Sequence, residues 1–150
     1  METWVRDRPA DMALVTEAKA LCEYVLTVTQ SSPKRFRFTF VSRLDNLAIA
    51  LVEQAYRAND VFIGPGCSPG SPRRRLDFQQ EALTDARLLA YLAEVAYRQN
   101  CLLGKQFQQI AKRTAVCQQM LGAWIASDKR RLAAGPGTGP VDPDAAREGI

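Results

Sequence analysis

Basic residues that follow a Ser-Pro pair are the feature of this sequence most suited to binding chemistry. The pair occurs twice, as Ser32–Pro33 before Lys34–Arg35 and as Ser71–Pro72 before Arg73–Arg75. Ser at the N-cap and Pro at the first helical position form a helix start signal, because Pro has no N–H to leave unpaired. Cations in the first turn of a helix are unfavourable, because the N-terminus already carries partial positive charge. An anion bound there is stabilised by the free N–H groups and the guanidinium groups together. The pattern predicts polyanion binding. Alternatively, these long side chains only cover apolar surface and keep the chain soluble.

The formal net charge of +4 is unevenly distributed along the 150 residues. Residues 133–150 hold one Arg against three acidic residues, so residues 1–132 carry +6. A basic body of this kind favours nucleic acid or an acidic protein surface as the partner. The candidate nucleic-acid or partner-binding residues are Lys34, Arg35, Arg37, Arg43, Arg57, Arg73, Arg74, Arg75, Lys105, Lys112, Lys129, Arg130 and Arg131.

The residues required for catalysis or metal binding are not assembled in this sequence. It contains no His, which is the commonest general base and a frequent metal ligand. Its four cysteines have no Cys-x-x-Cys spacing, and no phosphate-binding glycine loop of the Walker type occurs. Cys67 lies beside basic residues but has no His to activate it. We therefore expect a protein that is not an enzyme and has no cofactor, no metal and no catalytic residue.

The candidate binding residues lie on or beside four long stretches with helical periodicity. Apolar residues recur at helical spacing over about 11–31, 33–60, 73–99 and 105–132, and no stretch alternates with period two. Helices of this length with short connections predict an all-α, antiparallel up-down-up-down four-helix bundle over residues 11–132. Residues 1–10 are expected to be a loose lead-in and the Gly/Pro-rich residues 133–150 a disordered tail. Without a signal region or a long apolar run, the expectation is a cytoplasmic protein with no membrane partner.

The apolar surface of the second and third helices exceeds what one bundle requires. The third helix is apolar around most of its circumference, and the stripe of the second is extended to one side. A cyclic homo-oligomer would cover this surface. Alternatively, the third helix lies at the bundle centre or under the N-terminal segment that contains Trp4. The predicted oligomer interface consists of Val41, Ile49, Val52, Tyr56, Leu88, Tyr91 and Val95.

An antiparallel bundle would collect the cations at its two ends. Lys34, Arg35 and Arg37 would share one end with Lys105, while Arg73–Arg75 would share the other with Lys129–Arg131. Lys105, Lys112 and Arg130 lie within about 20° of one another on the fourth helix, opposite its core row. This distribution suits a sugar-phosphate backbone and salt-sensitive binding without sequence preference.

Three phenylalanines alternate with the first basic cluster. Phe40 belongs to the core row of the second helix, so base stacking would involve at most Phe36 and Phe38.

Two segments of the chain resemble a known family. Residues 33–60, which begin Pro-Lys-Arg-Phe-Arg-Phe, and residues 88–131, which contain Leu-Gly-Ala-Trp-Ile at 121–125, are similar to the accessory variability determinant proteins of diversity-generating retroelements. That family is related to the four-helix proteins encoded by intervening sequences in bacterial large-subunit ribosomal RNA genes. The resemblance covers about 12–131. The acidic residues beyond 132 lie outside it.

The resemblance implies a barrel-like homopentamer with a basic surface and no catalytic activity. Such proteins bind nucleic acid and associate with the reverse transcriptase of their element, which copies a template RNA with errors at adenines. The cDNA then replaces a variable repeat in a target gene. Lys34, Arg35 and Arg37 lie inside the matched motif, whereas the role of Arg73–Arg75 depends on charge alone. The alternative is a protein-interaction or structural bundle of the intervening-sequence type, without a polymerase partner.

Overall fold

Four α-helices make up nearly all of the structure, a computed structural model that describes residues 9–134. They are α1 (Pro9–Thr29), α2 (Ser42–Asp60), α3 (Ser71–Arg98) and α4 (Gly104–Ala133), and no strand occurs among residues 9–134. The prediction of an all-helical fold with four helices is confirmed for residues 9–134. The predicted lead-in, except for Pro9 and Ala10 in α1, and the predicted tail beyond residue 134 lie outside the described residues.

The four helices surround one hydrophobic core. Helix α1 packs against α2 and α4, and α3 packs against the same two helices, as in a four-helix bundle. The buried positions follow the predicted helical spacing, because each helix turns one apolar row inward. The inward rows of α1, α2 and α4 include the fully buried residues Leu14, Leu21, Leu44, Leu51, Ile110 and Leu121. No helix within residues 9–134 has both the length and the apolar character needed to cross a membrane.

Helix α3 buries mostly small residues. Ala82, Ala86, Ala93 and Ala96 are fully buried, and of the leucines of this helix only Leu89 is fully buried while the others are half-buried. Small side chains let neighbouring helix backbones approach closely, which displaces the larger side chains to the flanks. The apolar surplus predicted for this helix therefore lies at its edges and partly on the surface.

The chain enters α2 through two irregular turns instead of a regular helix start. A 3-10 turn covers Lys34–Phe36 and a π-helical turn covers Arg37–Val41. Neither predicted serine cap forms a side-chain capping hydrogen bond: the residue before the 3-10 turn is Pro33, and the residue before α3 is Gly70. At α3 the reason is that the helix starts one residue earlier than predicted: Arg74 N–H donates to the carbonyl of Gly70, so Ser71 is the first helical residue and not the cap.

Candidate nucleic-acid interface

The irregular turns before α2 place a cluster of cations on the surface. We call Lys34, Arg35 and Arg37 the Lys34 cluster; all three side chains are exposed. The preceding residue, Pro33, fixes its own φ at −57°, which directs the chain into the 3-10 turn. Lys34 and Arg35 lie in the 3-10 turn and Arg37 begins the π-helical turn, so the cluster spans the junction of the two turns.

The Lys34 cluster adjoins the start of α4. Gln106 Nε2 donates a hydrogen bond to Ser31 Oγ at 3.5 Å. Burial raises the pKa of the Cys101 thiol, and the positive charge of Arg35 opposes that rise. Lys105, next to Gln106, is exposed. These contacts agree with the prediction that Lys105 shares an end of the bundle with the cluster.

Carboxylates are scarce around this end. Residues 24–44 and 95–127 contain no Asp or Glu, and these two segments meet at the Ser31–Gln106 contact. None of the ion pairs among residues 9–134 involves the Lys34 cluster, Lys105 or Lys112. The positive charge there is therefore not held in close ion pairs within the described part of the chain. A phosphate backbone is attracted to such a surface.

A groove of about 620 Å³ runs beside the cluster. Lys34 and Arg37 line one part of it and the C-terminal turn of α1 another. Its one carboxylate, Asp45, accepts a hydrogen bond from Thr29 Oγ1 at 2.7 Å. Burial raises the pKa of Asp45, and the bond from Thr29 opposes the rise. The lining of the groove therefore combines two cations with one carboxylate that is hydrogen-bonded to the protein itself.

The three phenylalanines of this segment have different environments. Phe36 and Phe40 are half-buried against the core, with ring centroids 5.7 Å apart, and the guanidinium of Arg35 lies 4.5 Å from the Phe36 centroid. Phe38 is 88% exposed. The predicted core position of Phe40 is consistent with this packing. Of the two residues considered for stacking, only Phe38 presents an open ring.

A second group of cations lies where α3 begins and α4 ends. The exposed members are Arg73, Arg74, Lys129, Arg130 and Arg131. Arg73 pairs with Asp77 at 3.1 Å, and Arg131 Nη1 lies 3.5 Å from Asp128 while its Nη2 donates to the carbonyl of Ile63. Arg74, Lys129 and Arg130 take part in no ion pair among residues 9–134.

Arg75 does not belong to this surface, which corrects its inclusion among the anion-binding residues. The side chain is 2% exposed and donates from Nε and Nη2 to the two carboxylate oxygens of Asp128. Gln79 Nε2 donates to the same carboxylate at 2.8 Å, and the guanidinium stacks 4.8 Å from the Trp124 ring. The guanidinium of Arg75 therefore binds a carboxylate and an aromatic ring inside the protein and is not accessible to an external anion.

The helical register of the sequence indicates this buried network, although the charge of Arg75 by itself suggests an exposed residue. Arg75 and Gln79 precede Ala82 and Ala86 by one heptad, so they share the register of the alanine face that α3 turns inward. Asp128 stands one turn beyond Trp124 in the core row of α4. Matching polar residues at core positions of adjacent helices indicate a buried pair.

The cations of α2 lie on a different, partly acidic side. Arg57 pairs with Glu53 one turn earlier. A groove of about 480 Å³ between α2 and α3 is lined by acidic and neutral polar side chains, among them Asp77, Glu81 and Asp85. Burial raises the pKa of Asp85, the charges of Glu81 and Glu53 add to the rise, and Arg43 opposes it. We therefore place Arg43 and Arg57 outside the best-supported binding surface.

The residues predicted for an oligomer interface fall on two surfaces. The groove between α2 and α3 marks the side of α2 that faces α3, and Ala50 lines it. At 100° per residue, Ile49 and Tyr56 project at least about 100° away from Ala50. On α3, Leu88 and Val95 lie within about 40° of Glu81, which lines the groove. Ile49, Tyr56 and Tyr91 are exposed, and Val41, Val52, Leu88 and Val95 are half-buried.

Other chemistry finds little support in the described residues. No group of three or more His, Cys, Asp or Glu within residues 9–134 is arranged to hold a metal ion. All four cysteines, Cys22, Cys67, Cys101 and Cys117, are free thiols. Neither the models of protein families nor the curated proteins with which the chain was compared gives a match.

Proposed function

We propose that this chain is a non-enzymatic accessory subunit of a diversity-generating retroelement, which binds template RNA and its cDNA together with the reverse transcriptase of the element. The observation that carries nucleic-acid binding is the Lys34 cluster: three exposed cations on adjacent turns, without a carboxylate partner in the described residues. The polymerase partner comes from the family resemblance at residues 33–60 and 88–131.

We propose further that the helices alternate in direction, up-down-up-down. Several side-chain pairs support this arrangement. Arg75 meets Asp128 near one end of α3, and Tyr97 stacks on Phe107 near its other end, with centroids 5.3 Å apart. Between α1 and α4, Arg113 lies 5.3 Å from the Tyr24 ring centroid, and Gln106 bonds to Ser31. Antiparallel neighbours would give the bundle one basic group at each end.

A cyclic homo-oligomer fits the two separate apolar surfaces. A two-fold dimer uses one self-complementary patch, whereas a ring joins one patch of each subunit to a different patch of the next. The exposed Ile49 and Tyr56 on α2 and the exposed Tyr91 on α3 provide two such patches. The number five is proposed from the resemblance.

The test is capture of the reverse transcriptase encoded beside the gene, with and without its template RNA, by the full chain after light scattering has established its mass. Retention of the polymerase at a fixed stoichiometry by an oligomer supports the proposal. A parallel salt titration of RNA binding should give a steep linear fall of log K against log salt concentration. A monomer that retains neither polymerase nor RNA at physiological salt overturns the proposal and favours the protein-interaction bundle.

A further inference from the structure

Phe38 is the most exposed of the large apolar side chains described in the structure. Its exposed fraction is 88%, compared with 69% for Leu103, which comes next. Its neighbours Phe36 and Phe40 turn inward and contact each other, so the segment has an apolar anchor that does not involve Phe38. Exposure of an aromatic ring to water is unfavourable. The packing of the described residues gives no structural reason for a Phe at this position.

The surroundings of Phe38 are charged rather than apolar. Arg37 and Thr39 on either side of it are exposed, as are Lys34 and Arg35 one turn earlier. A protein-binding surface usually presents a contiguous apolar patch, whereas Phe38 is a single open ring with exposed polar and charged neighbours. One open ring among unneutralised cations is typical of proteins that bind single-stranded nucleic acid, in which a base stacks and the backbone follows positive charge.

The adjoining groove offers a path for that backbone. Lys34 and Arg37 line it, and its volume of about 620 Å³ is in the range of ligand-sized clefts. Arg35 does not compete for the open ring, because its guanidinium already lies over Phe36, 4.5 Å from the centroid. Arg37, the residue before Phe38, lines the groove, so a base on the Phe38 ring would have its neighbouring phosphates beside the cations of the groove.

We propose that Phe38 is a stacking platform for an unpaired base, and that the Lys34 cluster holds the adjacent phosphates, so that this end of the protein binds single-stranded nucleic acid in preference to duplex. This proposal rests on the proposed nucleic-acid function and specifies its substrate. A duplex keeps its base faces stacked inside the helix, so Phe38 adds nothing to duplex binding.

The experiment compares a labelled 12-nucleotide single-stranded RNA with the duplex of the same sequence, by fluorescence anisotropy with the full chain at 150 mM salt. Phe38→Ala should weaken single-strand binding about 5- to 150-fold, the range of one base stack, and leave both duplex binding and the salt slope unchanged. Phe38→Trp should retain the affinity. Leu103→Ala is the matched control, because Leu103 is also exposed and precedes α4 at the same end.

Three results would overturn the inference, and they are distinguishable. If Phe38→Ala binds the single strand like the parent while loss of the Lys34 cluster weakens binding, stacking is wrong but the proposed function stands. If Phe38→Ala loses the reverse transcriptase but not RNA, the ring is a protein contact. If the parent binds neither RNA at this salt, the proposed function fails as well. Unchanged thermal melting of Phe38→Ala excludes unfolding as the cause of any loss.

Discussion

The guanidinium of Arg75 and the carboxylate of Asp128 form a two-point ion pair inside the protein. Nε lies 2.7 Å from Oδ2 and Nη2 lies 3.1 Å from Oδ1, and the side chains are 2% and 6% exposed. The pair joins the first turns of α3 to the last turns of α4. Arg75 Nη1 also donates to the carbonyl of Val61, which ties the loop between α2 and α3 to the same point.

Removal of one partner of this pair should be strongly destabilising. Asp128→Ala leaves a buried guanidinium uncompensated, and we expect a loss of about 3–5 kcal/mol in the free energy of unfolding, measured by urea denaturation. Asp77→Ala is the matched control. It breaks the exposed Arg73–Asp77 pair of the same helix and should cost less than about 1 kcal/mol.

A double substitution separates the loss of the pair from a general packing defect. Arg75→Met with Asp128→Leu removes both charges and keeps apolar volume, so it should recover part of the stability lost in Asp128→Ala, the remainder being the cost of leaving the buried Gln79 amide without its acceptor. Equal destabilisation by Asp128→Ala and Asp77→Ala would show that the buried pair contributes no more than a surface one.

Much of the fold could be predicted from the sequence because it depends on local periodicity. The inward rows of α2 and α4, such as Leu44–Leu51 and Ile110–Leu121, follow helical spacing without reference to neighbours. The register of α3 places Arg75 in the inward row, but its ion pair could not be assigned from that segment alone, since the partner, Asp128, is 53 residues away. The π-helical turn at Arg37–Val41 was not predicted, because the residues there fit an ordinary helix equally well.

Asp85 should make the free energy of unfolding fall as pH rises. An ion-paired carboxylate, whose pKa is lowered, has the opposite effect. Burial, then the charges of Glu81 and Glu53, hold its pKa above the ordinary 3.8, so the folded state binds this proton more tightly than the unfolded chain. The parent therefore loses stability as pH rises from below 3.8 through the raised pKa. Asp85→Asn removes that loss, and its stabilisation relative to the parent should grow over this range and then remain constant to pH 7.

Urea denaturation of Asp85→Asn and the parent at a series of pH values measures this effect. A Glu81→Gln background supplies the control, because the neighbouring charge is gone and the stabilisation by Asp85→Asn should shrink. A difference between variant and parent that does not change with pH would contradict the assigned direction.

The four thiols should differ in reactivity according to burial. Burial, with a smaller contribution from Glu17, raises the pKa of Cys117 to about 11, so only about one thiol in a thousand is ionised at pH 8. Cys67 lies partly exposed in the loop between α2 and α3. Iodoacetamide at pH 8 should therefore modify Cys67 first and Cys117 only after unfolding, as followed by mass spectrometry. In guanidinium chloride all four should react, and equal rates for Cys67 and Cys117 in the native protein would refute the prediction.

A ring built from two different patches has a consequence for mixtures of variants. Ile49→Asp on α2 and Tyr91→Asp on α3 each place a charge in one proposed patch, so each variant alone should be monomeric by light scattering. Mixed together, they retain one intact pair of patches and should form heterodimers that grow no further. If Tyr91→Asp alone kept the mass of the parent, α3 would lie outside the interface and a ring of this kind would be wrong.

Cations without carboxylate partners should contribute more to RNA binding than paired ones. Replacement of Lys34, Arg35 and Arg37 by Ala should reduce the slope of log K against log salt by about 2 for a single strand, because each phosphate contact contributes about 0.7. The matched control replaces Arg57, Arg73 and Arg98, which are equally numerous, exposed and paired with acidic residues one turn away. Both triple variants change the net charge by the same amount, so equal losses of affinity would mean that overall charge, and not the Lys34 cluster, determines binding.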